Sequence, residues 1–275
     1  MQAGKPPARV RILGGEVDLV TPAQMLGRVE SAVGSGRAAV IANHNAHSLY
    51  LLRGDKGLRA FFAGADLVQI DSVPVIAWGA LLGLGLARRH RSTYLDWREE
   101  FWRRADRRGW RVFYLGGAPG VAERACARVG RAWPNAVLAC HDGFFDPAPA
   151  SAGNRAALAA IAAFAPDVLM VGMGMPRQEH WIADNRAALG PAVILPVGAA
   201  FDYEAGVQQT PPRWSGRFGV EWLFRLAADP RRLAKRYLIE PWLLLPLAFA
   251  DLAAARRRLT SPGSAGRRGA SAPAP

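Results

Sequence analysis

The residues of this chain that are best suited to chemistry stand directly after apolar segments. Asp71 follows apolar residues 67–70, and a turn with Gly174, Arg177, Gln178 and Glu179 follows apolar residues 168–171. A carboxylate at the end of a strand can accept a proton from an attacking hydroxyl group. A glycine turn that leads into a helix offers backbone N–H groups to an anion. An Asp in this position can also be a simple helix cap, so the sequence leaves both interpretations of Asp71 open.

Three other turns carry glycine or a carboxylate in the same position. Residues 116–120 read Gly-Gly-Ala-Pro-Gly, Gly143 stands in a second turn, and Gly198 and Asp202 stand in a third. Glycines let a phosphate approach the backbone, although a single turn of this kind is as often purely structural. The turn after the first strand lacks the GxGxxG spacing of a dinucleotide site, which argues against a nicotinamide-dependent oxidoreductase.

The segment after the first apolar run, residues 43–48, contains Asn43, His44, Asn45 and His47. Asn45 is well placed to cap a helix, with His47 satisfied in the core, and a ligand-binding role for the segment is an equally good interpretation. A metal site at the two histidines would need further His, Cys or carboxylate ligands, and no cluster of them supports one. We therefore expect neither a metal ion nor another cofactor.

Strands and helices that alternate along the chain must position these turns. Strands are predicted at residues 38–42, 67–70, 112–115, 136–139, 168–171 and 193–197, and helices at 22–33, 46–63, 73–86, 95–108, 120–133, 154–164 and 178–189. Several strands are uninterrupted apolar runs, as expected when helices cover both faces of a parallel sheet. The sequence therefore predicts an α/β fold with a Rossmann-like, doubly wound, mostly parallel sheet. A small hairpin is predicted at residues 12–20.

Charge and composition narrow the class of protein. The chain has 275 residues and a net charge of +13, and residues 207–275 hold twelve Lys or Arg against four Asp or Glu. This asymmetry indicates an anionic partner, either membrane phosphate or nucleic acid. We expect no secretory signal, because residues 1–10 are Pro-rich and contain no apolar stretch. We also expect no membrane-spanning helix, because the longest apolar run, residues 242–250, is shorter than the ~20 residues that a span needs. Cys126 and Cys140 are expected to be reduced, which favours a cytoplasmic protein.

The C-terminal quarter has the composition of a surface that lies on a membrane. It combines Trp214, Trp222, Trp242 and Phe249 with many basic residues, as interfacial helices do. The alternative is a pair of amphipathic helices packed on the domain with solvated basic faces. We predict a core at residues 1–206, a membrane-associating helical appendage at residues 207–260 (hereafter the appendage) and a disordered tail at residues 261–275.

In their order, the motifs resemble those of the WecG/TagA/CpsF family of bacterial glycosyltransferases, from about Ile12 to Tyr237. Each motif is weak alone, but their order and spacing together are specific. The resemblance rests on Asn45-Ala46-His47, Asp71, residues 116–120, Gly143-Phe144-Phe145, Gly174-Met175-Pro176-Arg177-Gln178-Glu179, Gly198-Ala199-Ala200-Phe201-Asp202, Glu221-Trp222-Leu223-Phe224-Arg225 and Asp229-Pro230-Arg231-Arg232.

The resemblance implies an inverting, metal-independent enzyme at the inner face of the cytoplasmic membrane. It would move a sugar from a UDP-sugar donor to a polyprenyl-diphosphate-linked sugar, in the synthesis of cell-wall, capsular or other surface polysaccharides. The catalytic residues implied are Asp71, as the base, with Gln178 and Asn43. The donor side would comprise Gly116, Gly117, Gly120, Gly143, Gly174, Arg177, Gln178, Glu179, Gly198 and Asp202. The acceptor and its diphosphate would contact Asn45, His47, Arg91, Asp96, Arg213, Arg225, Arg232 and Lys235.

Three positions depart from the family pattern. Asn43 stands where the family commonly has Thr, Ser72 replaces the Gly that usually follows the strand-end Asp, and Tyr94 replaces a Gly between Arg91 and Asp96. Because Ser72 and Tyr94 flank the expected acceptor side, we expect the choice of acceptor to differ from that of the best-known members.

Two other functions fit parts of the sequence. A UDP-sugar transferase with a soluble acceptor would use the same core without needing the appendage. A basic nucleic-acid-binding protein would explain the charge and the Arg and Trp content, but it leaves the strand-end motifs without a purpose, so we expect no nucleic-acid partner. The sequence leaves open the donor sugar, the polysaccharide pathway and a homo-oligomeric state.

Overall fold

A computed structural model describes residues 6–260 of the chain. Within that range the side chains of Arg213, Arg217, Arg232, Leu259 and Thr260 are not described. The tail predicted to be disordered, residues 261–275, and the side-chain roles predicted for Arg213 and Arg232 therefore lie outside the described residues.

A hairpin of β1 (Arg9–Ile12) and β2 (Gly15–Asp18) precedes the main sheet, as predicted. The sheet has six strands: β3 (Ala39–His44), β4 (Leu67–Ile70), β5 (Arg111–Gly116), β6 (Val137–His141), β7 (Val168–Gly172) and β8 (Val193–Pro196). All neighbouring pairs are parallel, and the spatial order is β4-β3-β8-β7-β5-β6. Since the strands are parallel, the turns that follow them lie along one edge of the sheet.

Helices cover both faces of the sheet and bury the apolar strands between two hydrophobic layers. One layer receives α1 (Pro22–Gly34), α5 (Tyr94–Arg108), α6 (Val121–Ala132) and α9 (Ala200–Glu204); the other receives α2 (Ala46–Leu51), α3 (Lys56–Ala63), α4 (Val73–Leu81), α7 (Ala152–Phe164) and α8 (Arg177–Asn185). The central strand β7 is buried at Val168 to Val171. The predicted doubly wound, Rossmann-like α/β fold is confirmed.

Two helix predictions were wrong in extent. The helix predicted at residues 46–63 is two helices, because Asp55 caps a new helix by accepting a hydrogen bond from the Leu58 N–H at 2.8 Å. The helix predicted at residues 73–86 ends at Leu81, two residues before Gly83. Residues 53–56, Arg-Gly-Asp-Lys, mark the first break in the sequence. The second is hard to predict from apolar spacing, because Leu82, Leu84 and Leu86 continue the apolar pattern beyond it.

The appendage is helical and packs against the core. It contains α10 (Arg213–Phe218), α11 (Glu221–Ala228), α12 (Pro230–Ala234) and α13 (Leu245–Thr260), with a π-helical turn at Lys235–Ile239 and a 3-10 turn at Glu240–Leu244 before α13. His47 Nδ1 lies 2.5 Å from Glu240 Oε2, and the N–H of Leu13 donates to Asp251 Oδ2 at 2.8 Å.

One stretch of the appendage, Lys235–Arg258, is long and apolar enough to cross a membrane by length and composition alone, which is weak evidence for a span. One side of this stretch faces the core, where Leu244 is buried and Asp251 holds the hairpin backbone. Its other side exposes Trp242, Leu245 and Phe249. Such a helix, apolar on its outer side and docked on its inner side, fits contact with a membrane surface as well.

Candidate active site

A cavity of about 340 Å3 lies over the carboxyl ends of β4, β3, β8 and β7. β3 supplies Asn43 to its wall, and the turns after β4, β8 and β7 supply Asp71, Gly198 and Gly174. Residues of α2, α5, α8 and α9 also line it, and the appendage closes it through Arg225, Leu233 and the residues 235–237 and 240. The cavity therefore exists only where the sheet edge and the appendage meet.

Asp71 is held at the rim of the sheet with a carboxylate that is free to react. Its N–H donates to the His44 carbonyl at 2.8 Å, which extends the pairing of β3 with β4. The cap position of α4 belongs to Ser72, so Asp71 is not the helix cap. Within residues 6–260, no described side chain or backbone group hydrogen-bonds its carboxylate.

The surroundings of Asp71 favour proton uptake. Burial raises the pKa of Asp71 above its ordinary value, and the cations Arg225, Arg91 and Arg236 oppose that rise without cancelling it. A carboxylate with a raised pKa is a stronger base than a solvated one. The electrostatics of this position therefore suit a group that takes a proton from a hydroxyl.

Asn43 and Asn45 lie beside Asp71, and both line the cavity. Asn43 Nδ2 donates to the Ser92 carbonyl at 2.8 Å, which fixes the amide and leaves its buried Oδ1 without a partner. An unpaired buried acceptor in a cavity wall is suited to a ligand hydroxyl. Asn45 Oδ1 accepts from the Ser48 N–H at 3.0 Å and caps α2, so the structural interpretation of Asn45 is correct.

His47 also reaches the cavity, but it is not satisfied within the core as its structural interpretation expected. Its Nδ1 is paired with Glu240 of the appendage. Burial lowers the pKa of His47, and the neighbouring Glu240 opposes that shift. A Glu240 carboxylate can only accept, so Nδ1–H is the donor in this pair. The contact ties α2 to the appendage at the cavity wall.

Gln178 bridges the two glycine turns that follow β7 and β8. Its Oε1 accepts from the N–H groups of Gly174 and Gly198, each at 3.2 Å, and its Nε2 donates to Glu179 Oε1 at 2.8 Å. Gly174 has a φ of +80°, a conformation that strains other residues. Gln178 therefore fixes the shape of the cavity floor.

Glu179 is a buried carboxyl in that floor. Burial raises the pKa of Glu179 from 4.5 to about 7. Its Oε1 accepts from Gln178, while its Oε2 is buried without a partner. A carboxyl in this state is largely protonated at mildly acidic pH, and the structure places it next to the bridge that holds the two turns.

The glycine turns differ from the simple anion site that the sequence predicts. Gly117 donates its N–H to Gly172 at 3.3 Å and Gly143 donates to Gly117 at 2.9 Å, while Gly174 and Gly198 donate to Gln178. These four N–H groups are thus already used inside the protein. The prediction that they stand bare for a phosphate was wrong for this structure, because the turns satisfy their own donors.

Several predicted donor residues lie beside the cavity, not in its wall. Gly116 ends β5 and Gly120 lies in the turn after it. A Cβ on Gly116 would lie 2.4 Å from the Gly172 carbonyl oxygen, so close packing requires glycine there. Arg177 donates to the Phe145 carbonyl. Asp202 sits in the first turn of α9. Their predicted roles toward the donor stay predictions.

Arg225 and Arg236 are two cations of the appendage that stand in the cavity wall and act on Asp71. Burial lowers the pKa of Arg236. Burial also opposes the charge of Arg225, but the surrounding acidic groups, Tyr203, Asp71, Tyr237 and Glu221, together outweigh burial and raise the pKa of Arg225 overall. Both side chains are arginines, so both remain charged.

Lys235, by contrast, reaches the same wall from an exposed position. The sequence singled out Lys235 and missed Arg236. Neighbouring residues of a helix point about 100° apart, so one can face the cavity while the next faces solvent. Which of the two faces the cavity depends on where the π-helical turn begins, and the sequence does not show that position.

Arg91 and Asp96, predicted on the acceptor side, are engaged with each other and with the appendage. Arg91 donates to Asp96 Oδ2 at 3.1 Å and to Glu221 at the start of α11. Glu221 and Glu240 are the two acidic residues that anchor the appendage here, and sequence reasoning missed both roles. The residue separations of these pairs, 130 and 193, leave no local signal.

A second cavity, of about 200 Å3, also borders Asp71. It shares Asp71, Arg225 and Arg236 with the first cavity, but its other walls include Val73, Pro74, Trp222 and Pro241. Asp71 thus stands where two spaces meet. One is walled by the turns after β7 and β8, and the other adds the apolar side chains of Val73, Trp222 and Pro241 to the shared charged residues.

Across residues 6–260, no group of three or more His, Cys, Asp and Glu side chains is placed to hold a metal ion. Cys126 and Cys140 are both free.

The comparisons with known proteins agree with this architecture. The chain is similar to the N-acetylglucosaminyldiphosphoundecaprenol N-acetyl-beta-D-mannosaminyltransferase of Staphylococcus aureus strain NCTC 8325, with 24% identity over 261 residues that cover 92% of this chain and 95% of the relative. The enzyme of the same name from strain COL matches equally well. The model of the glycosyl transferase family WecG/TagA/CpsF matches residues 10–258, which include both the sheet and the appendage. With its sheet-edge carboxylate enclosed by a basic appendage, this chain belongs to the WecG/TagA/CpsF family and is a glycosyltransferase.

Proposed function

We propose that the protein transfers a hexose or N-acetylhexosamine from a UDP-sugar to a polyprenyl-diphosphate-linked sugar, with inversion at the anomeric carbon. The observation that carries the proposal is the position of Asp71, whose carboxylate borders two cavities beside Arg225 and Arg236. The name of the S. aureus relative, which describes transfer to N-acetylglucosaminyldiphosphoundecaprenol, supports the acceptor class.

The two cavities suit two different substrates. The first has a polar floor of strand-end turns bridged by Gln178, with polar groups able to bind the hydroxyls of a donor sugar. The second combines the same cations with the apolar side chains of Val73, Trp222 and Pro241. A diphosphate with a saccharide at one end and an apolar chain at the other fits the second cavity, and the UDP-sugar then occupies the first.

In the proposed reaction, the Asp71 carboxylate takes the proton of the acceptor hydroxyl as its oxygen attacks the anomeric carbon. The new glycosidic C–O bond forms as the bond between the anomeric carbon and the UDP diphosphate breaks, so the configuration inverts and UDP leaves. Negative charge develops on the departing diphosphate, and Arg225 and Arg236 neutralise it. The N–H groups of four turn glycines, Gly117, Gly143, Gly174 and Gly198, are already engaged. The arginines therefore carry this role.

The appendage is proposed to bring the protein to the inner face of the cytoplasmic membrane. Its exposed apolar side chains include Trp242 at 69% and Phe249 at 68% relative exposure, and Arg256, Arg257 and Arg258 follow on the same helix. Aromatic side chains at the lipid interface and basic residues near anionic headgroups favour peripheral binding. The same appendage walls the cavity, so membrane contact and active-site closure are coupled.

A panel of UDP-sugars assayed with a polyprenyl-diphosphate-linked N-acetylglucosamine tests the proposal. We expect transfer from at least one UDP-hexose or UDP-N-acetylhexosamine and a product with inverted anomeric configuration by NMR. Transfer to a free saccharide at the same rate would contradict the lipid-linked acceptor and favour a soluble one. Retention of configuration would exclude a single displacement assisted by Asp71.

A further inference from the structure

Helix α4 presents an apolar face that the fold does not need. Its inner side already buries Val75, Ile76 and Gly79. Its outer side carries Pro74, Ala77 and Leu81, at the i, i+3 and i+7 spacing of one helix face, and all three are exposed, Leu81 at 76%. The sequence has no charged residue from Val73 to Ala87. A surface helix without polar residues on its outer side indicates an apolar partner.

The two ends of α4 border two separate spaces. Its first residues, Val73 and Pro74, belong to the wall of the second cavity, together with Trp222 and Pro241. Just beyond its last residues, Leu82 and Leu84 form one side of a groove of about 220 Å3.

The other side of that groove comes from Leu247, Ala250 and Ala254 of α13. Arg11, Arg258 and Asp251 also line it, so its charged lining is net positive, which suits a groove that opens near an anionic membrane surface. The nine residues of α4 rise about 13 Å, and its outer face therefore joins the second cavity to this groove.

We propose that the outer face of α4 and the groove beside α13 bind the first isoprene units of the acceptor's polyprenyl chain. This inference rests on the proposed function, which places the acceptor and its diphosphate in the second cavity. A chain attached to that diphosphate has to leave the cavity past its apolar walls, and Val73 and Pro74 form the wall that leads onto α4. Leu82 and Leu84, just after α4, face residues of α13 across a recess, which suits an extended chain better than a flat bilayer surface.

The variant Leu81→Ser tests the site without disturbing the core, since Leu81 is mostly exposed. Two acceptors with the same diphosphate-linked sugar are compared in detergent, one with a full-length polyprenyl chain and one with a short prenyl chain. We expect KM for the long-chain acceptor to rise about fivefold or more with kcat unchanged, because contact with the chain is uniform binding energy. KM for the short-chain acceptor and for the donor should not change, and Leu81→Met should restore the wild-type KM.

The matched control is Val137→Ser, which removes an exposed apolar side chain from the start of β6, at the opposite edge of the sheet. Equal KM shifts for both acceptors, or a KM shift in the control as large as that of Leu81→Ser, would overturn the proposal. Vesicle flotation adds a further outcome: a parallel loss of vesicle binding and long-chain transfer in Leu81→Ser would make α4 a bilayer contact and not a chain site.

Failure of the proposed function is distinguishable from failure of the chain site. If the wild-type protein transfers sugar to neither acceptor, the proposed function is wrong. Calorimetric titration with a polyprenyl diphosphate that carries no sugar then tests α4 alone. About fivefold weaker binding by Leu81→Ser supports the chain site, and equal affinities would refute it.

Discussion

Glu179→Gln is the substitution whose effect can be worked out most fully from the structure. Burial raises the pKa of Glu179 from 4.5 to about 7, so the folded protein keeps this proton over a range in which the unfolded chain has lost it. Between these two pH values the unfolded state binds fewer protons, and stability falls as pH rises. A shift of this size corresponds to about 3 kcal/mol of unfolding free energy, present below pH ~4.5 and lost once pH exceeds ~7.

Gln at position 179 cannot titrate, but its Oε1 can still accept the Gln178 hydrogen bond. Its amide N–H groups take the place of Glu179 Oε2, which has no hydrogen-bond partner. Because a buried donor without a partner is unfavourable, the variant loses about 1–3 kcal/mol of unfolding free energy at every pH. The informative quantity is therefore the change of the stability difference with pH. We expect the variant to gain up to about 3 kcal/mol relative to wild type between pH 5 and pH 8.

Urea unfolding followed by tryptophan fluorescence at several pH values measures this difference. Glu99→Gln, the same change on the exposed face of α5, is the matched control. Parallel stability profiles for wild type and Glu179→Gln across pH 5–8 would refute the claim that Glu179 is held protonated by burial.

Three further predictions concern the appendage. Arg236→Ala should lower transfer by about 100-fold, the cost of one donor to a developing anion, whereas Lys235→Ala should change it by less than about twofold; equal effects in a steady-state assay would refute the assignment of Arg236. Glu221→Ala removes the α11 residue that pairs with Arg91 of the core and should speed protease cleavage within the appendage. An unchanged cleavage rate would show that this ion pair does not hold the appendage on the core. Truncation before Val207 should leave a sheet with native-like circular dichroism and no transfer, and full activity would remove both the membrane role and the closure role of the appendage.

The sequence was sufficient for the sheet edge and its reactive residues. Apolar runs locate the ends of β3, β4 and β7, and parallel strands bring those ends to one edge. Asp71, Asn43 and Gln178 therefore had to lie near each other, and the cavity confirms that they do. The N-cap of α2 at Asn45 was equally local, because capping depends on residues only three positions apart.

Other features depend on docking and strand order, which spacing does not encode. The sequence could not show that the turns after β5 and β6 lie beside the cavity, since β7 and β8 insert between β5 and β3. Nor could it show that His47 meets Glu240, because the angle at which the appendage packs decides this contact. The glycine N–H groups were predicted to be free for a phosphate. A sequence motif shows where such donors occur, but it does not show which acceptors inside the protein already bind them.

Asp71→Asn tests the central claim most directly, because it keeps the size of the side chain and removes its ability to take a proton. Single-turnover transfer from a UDP-sugar to the lipid-linked acceptor should fall by ~10²-fold or more, while UDP affinity measured by calorimetry stays nearly unchanged. Transfer at close to the wild-type rate would contradict the account, because the carboxylate between the two cavities would then have no part in the reaction.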